Sequence, residues 1–107
     1  MSSVALIVTI RPAAGKTDRL RELLLTMVSH VTKEEPDCIQ YQLIESKLAN
    51  GNAEFQILEQ WKSQAALENH GKLDLNKKMT ATFEEEKIIA QSEHVQSVSV
   101  IAGFAAR

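Results

Sequence analysis

Asn50-Gly51 separates two alternating runs, Cys38 to Glu45 (CIQYQLIE) and Phe55 to Trp61 (FQILEQW). A residue pair suited to positive φ between two runs of period two marks a hairpin, so this part of the chain must form paired antiparallel strands. In the first run Ile39, Tyr41 and Leu43 share one side, with Gln40 and Gln42 on the other. In the second, Phe55, Ile57, Glu59 and Trp61 share a side, because side chains alternate along a strand. All but Glu59 are large and apolar. Burying a carboxylate without a partner is costly, so Glu59 needs a reason to be there.

The rest of the chain supplies elements around this hairpin. Val4 to Ile10 (VALIVTI) is β-branched and almost wholly apolar, and ends at Arg11-Pro12, where the missing proline N–H makes ladder pairing awkward. It reads as a buried strand. Gly15 then opens a long helical pattern in which Leu20, Leu23, Leu24, Met27, Val28 and Val31 recur at helical spacing, with charge on the other side. Glu35-Pro36-Asp37 stops it, since the residue before a proline avoids the helical region and Asp favours a turn. Ser63 can cap a short helix through Ala66, Leu67 and His70 that ends at Gly71, and a further helix carries Leu75, Met79 and Phe83 spaced by four. The last strand is expected at about Glu93 to Ile101, with Val98 and Val100 on one side and Ser97 and Ser99 on the other.

The order strand, helix, strand, strand, helices, strand predicts a ferredoxin-like α+β fold, an antiparallel sheet with helices on one face, as one domain over residues 1–107. The second face of such a sheet is left uncovered by helices. A second copy packing sheet to sheet would cover it, so a homodimer is expected.

Several function classes are disfavoured. Lys and Arg total 12 against 14 for Asp and Glu, a formal charge of -2, so no global basic field would hold nucleic acid or anionic lipid. The single cysteine, Cys38, allows no internal disulfide and reads as a small buried side chain. The N-terminus lacks the long apolar run of a signal peptide or membrane span, so a cytoplasmic location is expected. The glycines are scattered, so neither a dinucleotide fingerprint nor a phosphate loop can be written. His30, His70 and His94 fall on different elements without ligand-type spacing, and neither a metal nor a cofactor is expected.

What remains is a small set of polar groups on apolar surfaces. His70 lies on or beside the inward face of the short helix directly after the strand of Glu59 and Trp61. The three could meet around one cavity between sheet and helices, with Met79 and Phe83 as apolar walls and Tyr41 reaching in from the adjacent strand. Plainer roles exist for each: Trp61 as core, His70 as a cation at a helix end, Glu59 paired with a lysine or arginine at the sheet edge. His30 and His94 read as surface or interface residues without a role.

Three stretches, IRPAAGK (Ile10 to Lys16), EEPDCIQYQL (Glu34 to Leu43) and LEQWKSQAALENH (Leu58 to His70), resemble the antibiotic biosynthesis monooxygenase family. The third is the most specific, combining an acid two before Trp with a Ser-started helix ending in His. The resemblance implies a dimeric α/β barrel in which two ferredoxin-like sheets face each other. It also implies that Trp61 and His70 match the family's pocket Trp and helix His, and Glu59 its strand acid. The haem-degrading branch would want an Asn on the first strand, a Trp in place of His70 and a His about ten residues later; Val4 to Ile10 has no Asn and Thr80 holds the last position, which argues against haem degradation. Leu75 and Asn76 stand near the point where many members carry a second His.

The expected activity is oxidation of a hydroquinone, anthrone or related electron-rich phenol by O₂ without flavin, haem or metal. His70 would be the base, oriented or assisted by Glu59, while Trp61, Phe83 and Met79 stack on and desolvate the ring. The alternatives are isomerisation of a small carbonyl compound, for which Arg11 and Lys16 are the available cations, and a non-catalytic dimer that binds a small ligand.

Overall fold

The computed structural model describes residues 3–90 and 93–105. In chain order the elements are β1 (Val4–Ile10), α1 (Thr17–Glu34), β2 (Cys38–Lys47), β3 (Ala53–Trp61), α2 (Gln64–Gly71), α3 (Asp74–Glu85) and β4 (His94–Val98). The strands form one sheet in the order β2-β3-β1-β4, with every neighbouring pair antiparallel. This is the α+β ferredoxin-like plan that the element order predicts.

The hairpin is where Asn50-Gly51 places it. Gly51 takes a φ of 88°, open to glycine at no steric cost, and Asn50 closes the turn by accepting the Asn52 amide at 3.0 Å through its side-chain oxygen. In register, Tyr41 stands opposite Glu59 and Leu43 opposite Ile57, while β1 sets Leu6 opposite Glu59 and Val8 opposite Ile57. One sheet face therefore carries Leu6, Val8, Ile10, Phe55, Ile57 and Trp61, all buried, against Leu20, Leu24, Met27 and Val31 of α1 and Phe83 of α3. Ile88 completes this core just beyond α3. There Lys87 is the one described non-glycine residue with positive φ, and Ile88 N–H donates back to the Phe83 carbonyl at 3.0 Å, ending the helix in a Schellman turn.

Two strand expectations are corrected. A bulge between Cys38 and Gln40 pushes Ile39 out of the row it was expected to share with Tyr41 and Leu43; Cys38 stands opposite Trp61 instead and Ile39 is 53% exposed. The last strand is also shorter than Glu93 to Ile101. Pairing runs only from His94 opposite Thr9 to Val98 opposite Ala5, near where β1 begins, so Val100 and Ile101 lie beyond the sheet and are exposed. The ends of the expected 1–107 unit fall outside the described residues.

Candidate functional site

Among the described residues the polar ones buried within the core are Glu59 and His70, 6% and 7% exposed. Strand alternation carries Glu59 inward with Ile57 and Trp61. A short link then starts α2: the Ser63 side chain accepts the Ala66 amide at 3.1 Å, which sets the helix so that Ala66 and His70, one turn apart, both face in. His70 also anchors the junction with α3, its carbonyl accepting from the Leu73 amide at 3.3 Å and from Asn76 Nδ2 at 3.4 Å.

Three rings meet at this end of the sheet. The Trp61 and His70 ring centres are 4.7 Å apart with planes inclined at 37°, and Tyr41 presents its edge to both, at 6.5 Å from Trp61 and 5.9 Å from His70. These separations are those of attractive aromatic contact. The buried carboxylate has its partner here: the Trp61 indole N–H donates to Glu59 Oε1 at 2.9 Å. Among the described residues Glu59 forms no ion pair with a lysine or arginine.

Glu59 is therefore held by a dipole rather than a cation, and its pKa follows. Burial pushes the carboxyl above the usual range; the indole hydrogen bond and the charge of a protonated His70 pull the other way without cancelling it, and the Glu93 and Glu35 charges add to the rise. Desolvation raises the Glu93 carboxyl as well, although the residue is exposed. Tyr41 is pushed far upward, first by burial and then by the Glu59 charge, so its phenol stays protonated and can donate a hydrogen bond. Burial, then the same charge, raises the Cys38 thiol to about 11, which keeps it out of nucleophilic chemistry at neutral pH.

The residue that orients the His70 ring through a hydrogen bond is Glu35. The ring's Nδ1 lies 2.9 and 3.1 Å from the two carboxylate oxygens of Glu35, the residue that closes α1. A carboxylate only accepts, so Nδ1 carries the hydrogen and Nε2 is left as the nitrogen able to take a proton. In the sequence Glu35 reads simply as the stop before Pro36. The pre-proline position is the signal that could have found it, since it fixes the backbone in extended geometry and so the direction of the side chain. His30, expected at the surface or an interface, is half-buried, with its Nε2 buried 3.5 Å from Glu35 Oε2.

Beside the ring cluster a hollow of about 260 Å³ opens between the end of α1 and the start of β2, lined in part by Glu35, Cys38, Gln40 and Tyr41. The expected apolar walls lie elsewhere. Met79 lines a narrow cleft of about 110 Å³ between α1 and α3 with Leu23, Met27 and Leu75, and Phe83 is a buried core residue. Among the described residues no group of three or more His, Cys, Asp or Glu is arranged to hold a metal ion, and none of the helices is long and apolar enough to cross a membrane.

The profile of the antibiotic biosynthesis monooxygenase family matches residues 3–82. The chain belongs to this family. The matched span takes in Glu35, Tyr41, Glu59, Trp61 and His70 and stops just before Phe83. Solved structures agree with the fold. A Mycobacterium tuberculosis protein superposes with a TM-score of 0.80 at 27% identity, covering 97% of this chain and 100% of its own. A Caulobacter crescentus protein described as a candidate antibiotic biosynthesis monooxygenase gives 0.81 at 24%, covering 94% and 91%. A Pseudomonas aeruginosa protein gives 0.80 at 25%, covering 95% and 97%. No curated protein matches.

Proposed function

We propose that this member of the family is a cofactor-independent monooxygenase that oxidises a hydroquinone, anthrone or related electron-rich phenol with O₂. The observation that supports it best is the pair of buried proton-holding groups, His70 and Glu59, packed with Trp61 and with Tyr41, which itself lines a hollow of about 260 Å³ shared with Glu35.

The chemistry needs little more than an anion held in a dry place. Taking an anthrone as the case, His70 Nε2 removes a proton from the methylene carbon, and the resulting phenolate-enolate gives one electron to O₂. The carbon radical and superoxide combine to a peroxide anion, which takes up a proton. Loss of the second methylene hydrogen as a proton and departure of hydroxide from the hydroperoxide leave a carbonyl, and a second returned proton makes the hydroxide water, so one substrate and one O₂ give one quinone and one water. Tyr41, kept protonated, donates to the developing phenolate oxygen, and Glu59, with a carboxyl raised by burial, takes part as a second proton carrier.

Large apolar side chains left exposed in the single chain, Ile39, Ile44, Val100 and Ile101 among them, favour a homodimer in which the open sheet face and the segment after β4 meet a second copy. Light scattering at low micromolar concentration is expected to give twice the chain mass. The activity is tested by oxygen uptake of the purified protein against a panel of reduced quinones and anthrones. Uptake no faster than autoxidation across the panel removes the oxygenase reading; deuterium exchange from solvent into a carbonyl compound under nitrogen would then favour an isomerase.

A further inference from the structure

Glu35 stands between two imidazoles. On one side His70 Nδ1 donates to it at 2.9 Å; on the other His30 Nε2 lies 3.5 Å from the same Oε2, beyond a good hydrogen bond. His30 Nε2 is buried and has no hydrogen-bond partner, as expected of an acceptor that is engaged only when Glu35 carries a proton. Side-chain exposure rises along the row, from 9% at His70 through 13% at Glu35 to 26% at His30. The row thus runs from the buried rings outward along the C-terminal end of α1.

We propose that Glu35 and His30 form a proton path between His70 and solvent, with Glu35 also acting as the positioning residue that keeps the His70 hydrogen on Nδ1. This rests on the reading of His70 as the base. When Nε2 gains the substrate proton, Nδ1 releases its hydrogen to Glu35; the Glu35 carboxyl passes a proton to His30 Nε2, and His30 releases one from Nδ1 to water. No electron moves, and the net change is one proton carried from substrate to solvent. The return path supplies the proton that the departing hydroxide needs. Glu59 lies off this row, occupied by the Trp61 indole, so the two acids divide the work: one facing the rings, the other draining them.

Nitrogen-resolved NMR of the substrate-free protein tests the path without any turnover. In wild type the His70 hydrogen is expected on Nδ1, and Glu35→Ala should abolish that preference. Exchange of the His70 Nδ1 hydrogen with water should slow by about tenfold when the ring that relays it can no longer titrate, read in His30→Phe, which keeps a ring in place, and in His30→Gln. A His70 hydrogen found on Nε2 in wild type, a tautomer unmoved by Glu35→Ala, or exchange slowed in neither His30 variant would overturn the proposal. Absence of oxygen uptake would remove the oxygenase reading alone and leave these NMR outcomes as decisive as before.

Discussion

Glu45 and Glu59 make a controlled comparison within one sheet. They lie on neighbouring strands with side chains on the same face, and each stands opposite an aromatic residue, Glu45 across from Phe55 and Glu59 across from Tyr41. Glu45 is gripped by Arg21 through two contacts of 2.7 Å at the wet rim, with the guanidinium resting 5.8 Å from the centre of the Phe55 ring. Glu59 is buried and has only the indole N–H. The hydrogen bonds from Arg21 hold the Glu45 carboxyl below its usual range, whereas burial lifts that of Glu59 above it. The same residue type is thus neutralised at one end of the sheet and left ready to hold a proton at the other.

The comparison is broken most forcefully at His70. If the buried end carries the chemistry, His70→Ala should cut oxygen uptake by a factor of about 10² to 10⁴, the usual worth of a general base, while its melting curve shows that it is folded. Removing the indole donor comes next: Trp61→Phe leaves Glu59 buried without its hydrogen bond, which should cost about 1–3 kcal/mol in urea unfolding and push the carboxyl further up. The two acids should also give opposite pH slopes. A raised carboxyl makes the folded state bind more protons than the unfolded one, so the Glu59 contribution is greatest at low pH and is lost as pH rises through its folded value; Glu59→Gln should flatten that decline in unfolding curves taken between about pH 4 and pH 8. A lowered carboxyl works the other way, so the Glu45 contribution is lost as pH falls, and Arg21→Ala should remove that acid-side loss. The smallest effect belongs to the neighbouring surface pair, Arg11 and Glu54 at 2.8 Å: Arg11→Ala should change stability by less than about 1 kcal/mol, and less still in high salt.

Most of the fold is legible in the sequence because the signals are local and strong. Asn50-Gly51 fixes a turn, period two fixes which face Phe55, Ile57, Glu59 and Trp61 share, and the α1 stripe needs nothing but helical spacing. The site is half legible for the same reason. Alternation brings Glu59 inward and the Ser63 cap aims His70, but their hydrogen-bond partners depend on approach across the fold, and pattern is silent on that. Trp61, two residues away along its own strand, reaches Glu59 first, and Glu35, remote in sequence, reaches His70. The bulge at Ile39 is hidden for a different reason: strict alternation through Ile39, Tyr41 and Leu43 is as regular as any strand in the chain, and only the pairing with β3 reveals one residue too many. The early end of β4 is likewise a matter of where its neighbour β1 begins.

That extra residue falls on an outer strand of the sheet. An unbroken border would offer a continuous row of peptide donors and acceptors for another chain to lengthen the sheet indefinitely; a kink there interrupts the template and turns the border aside.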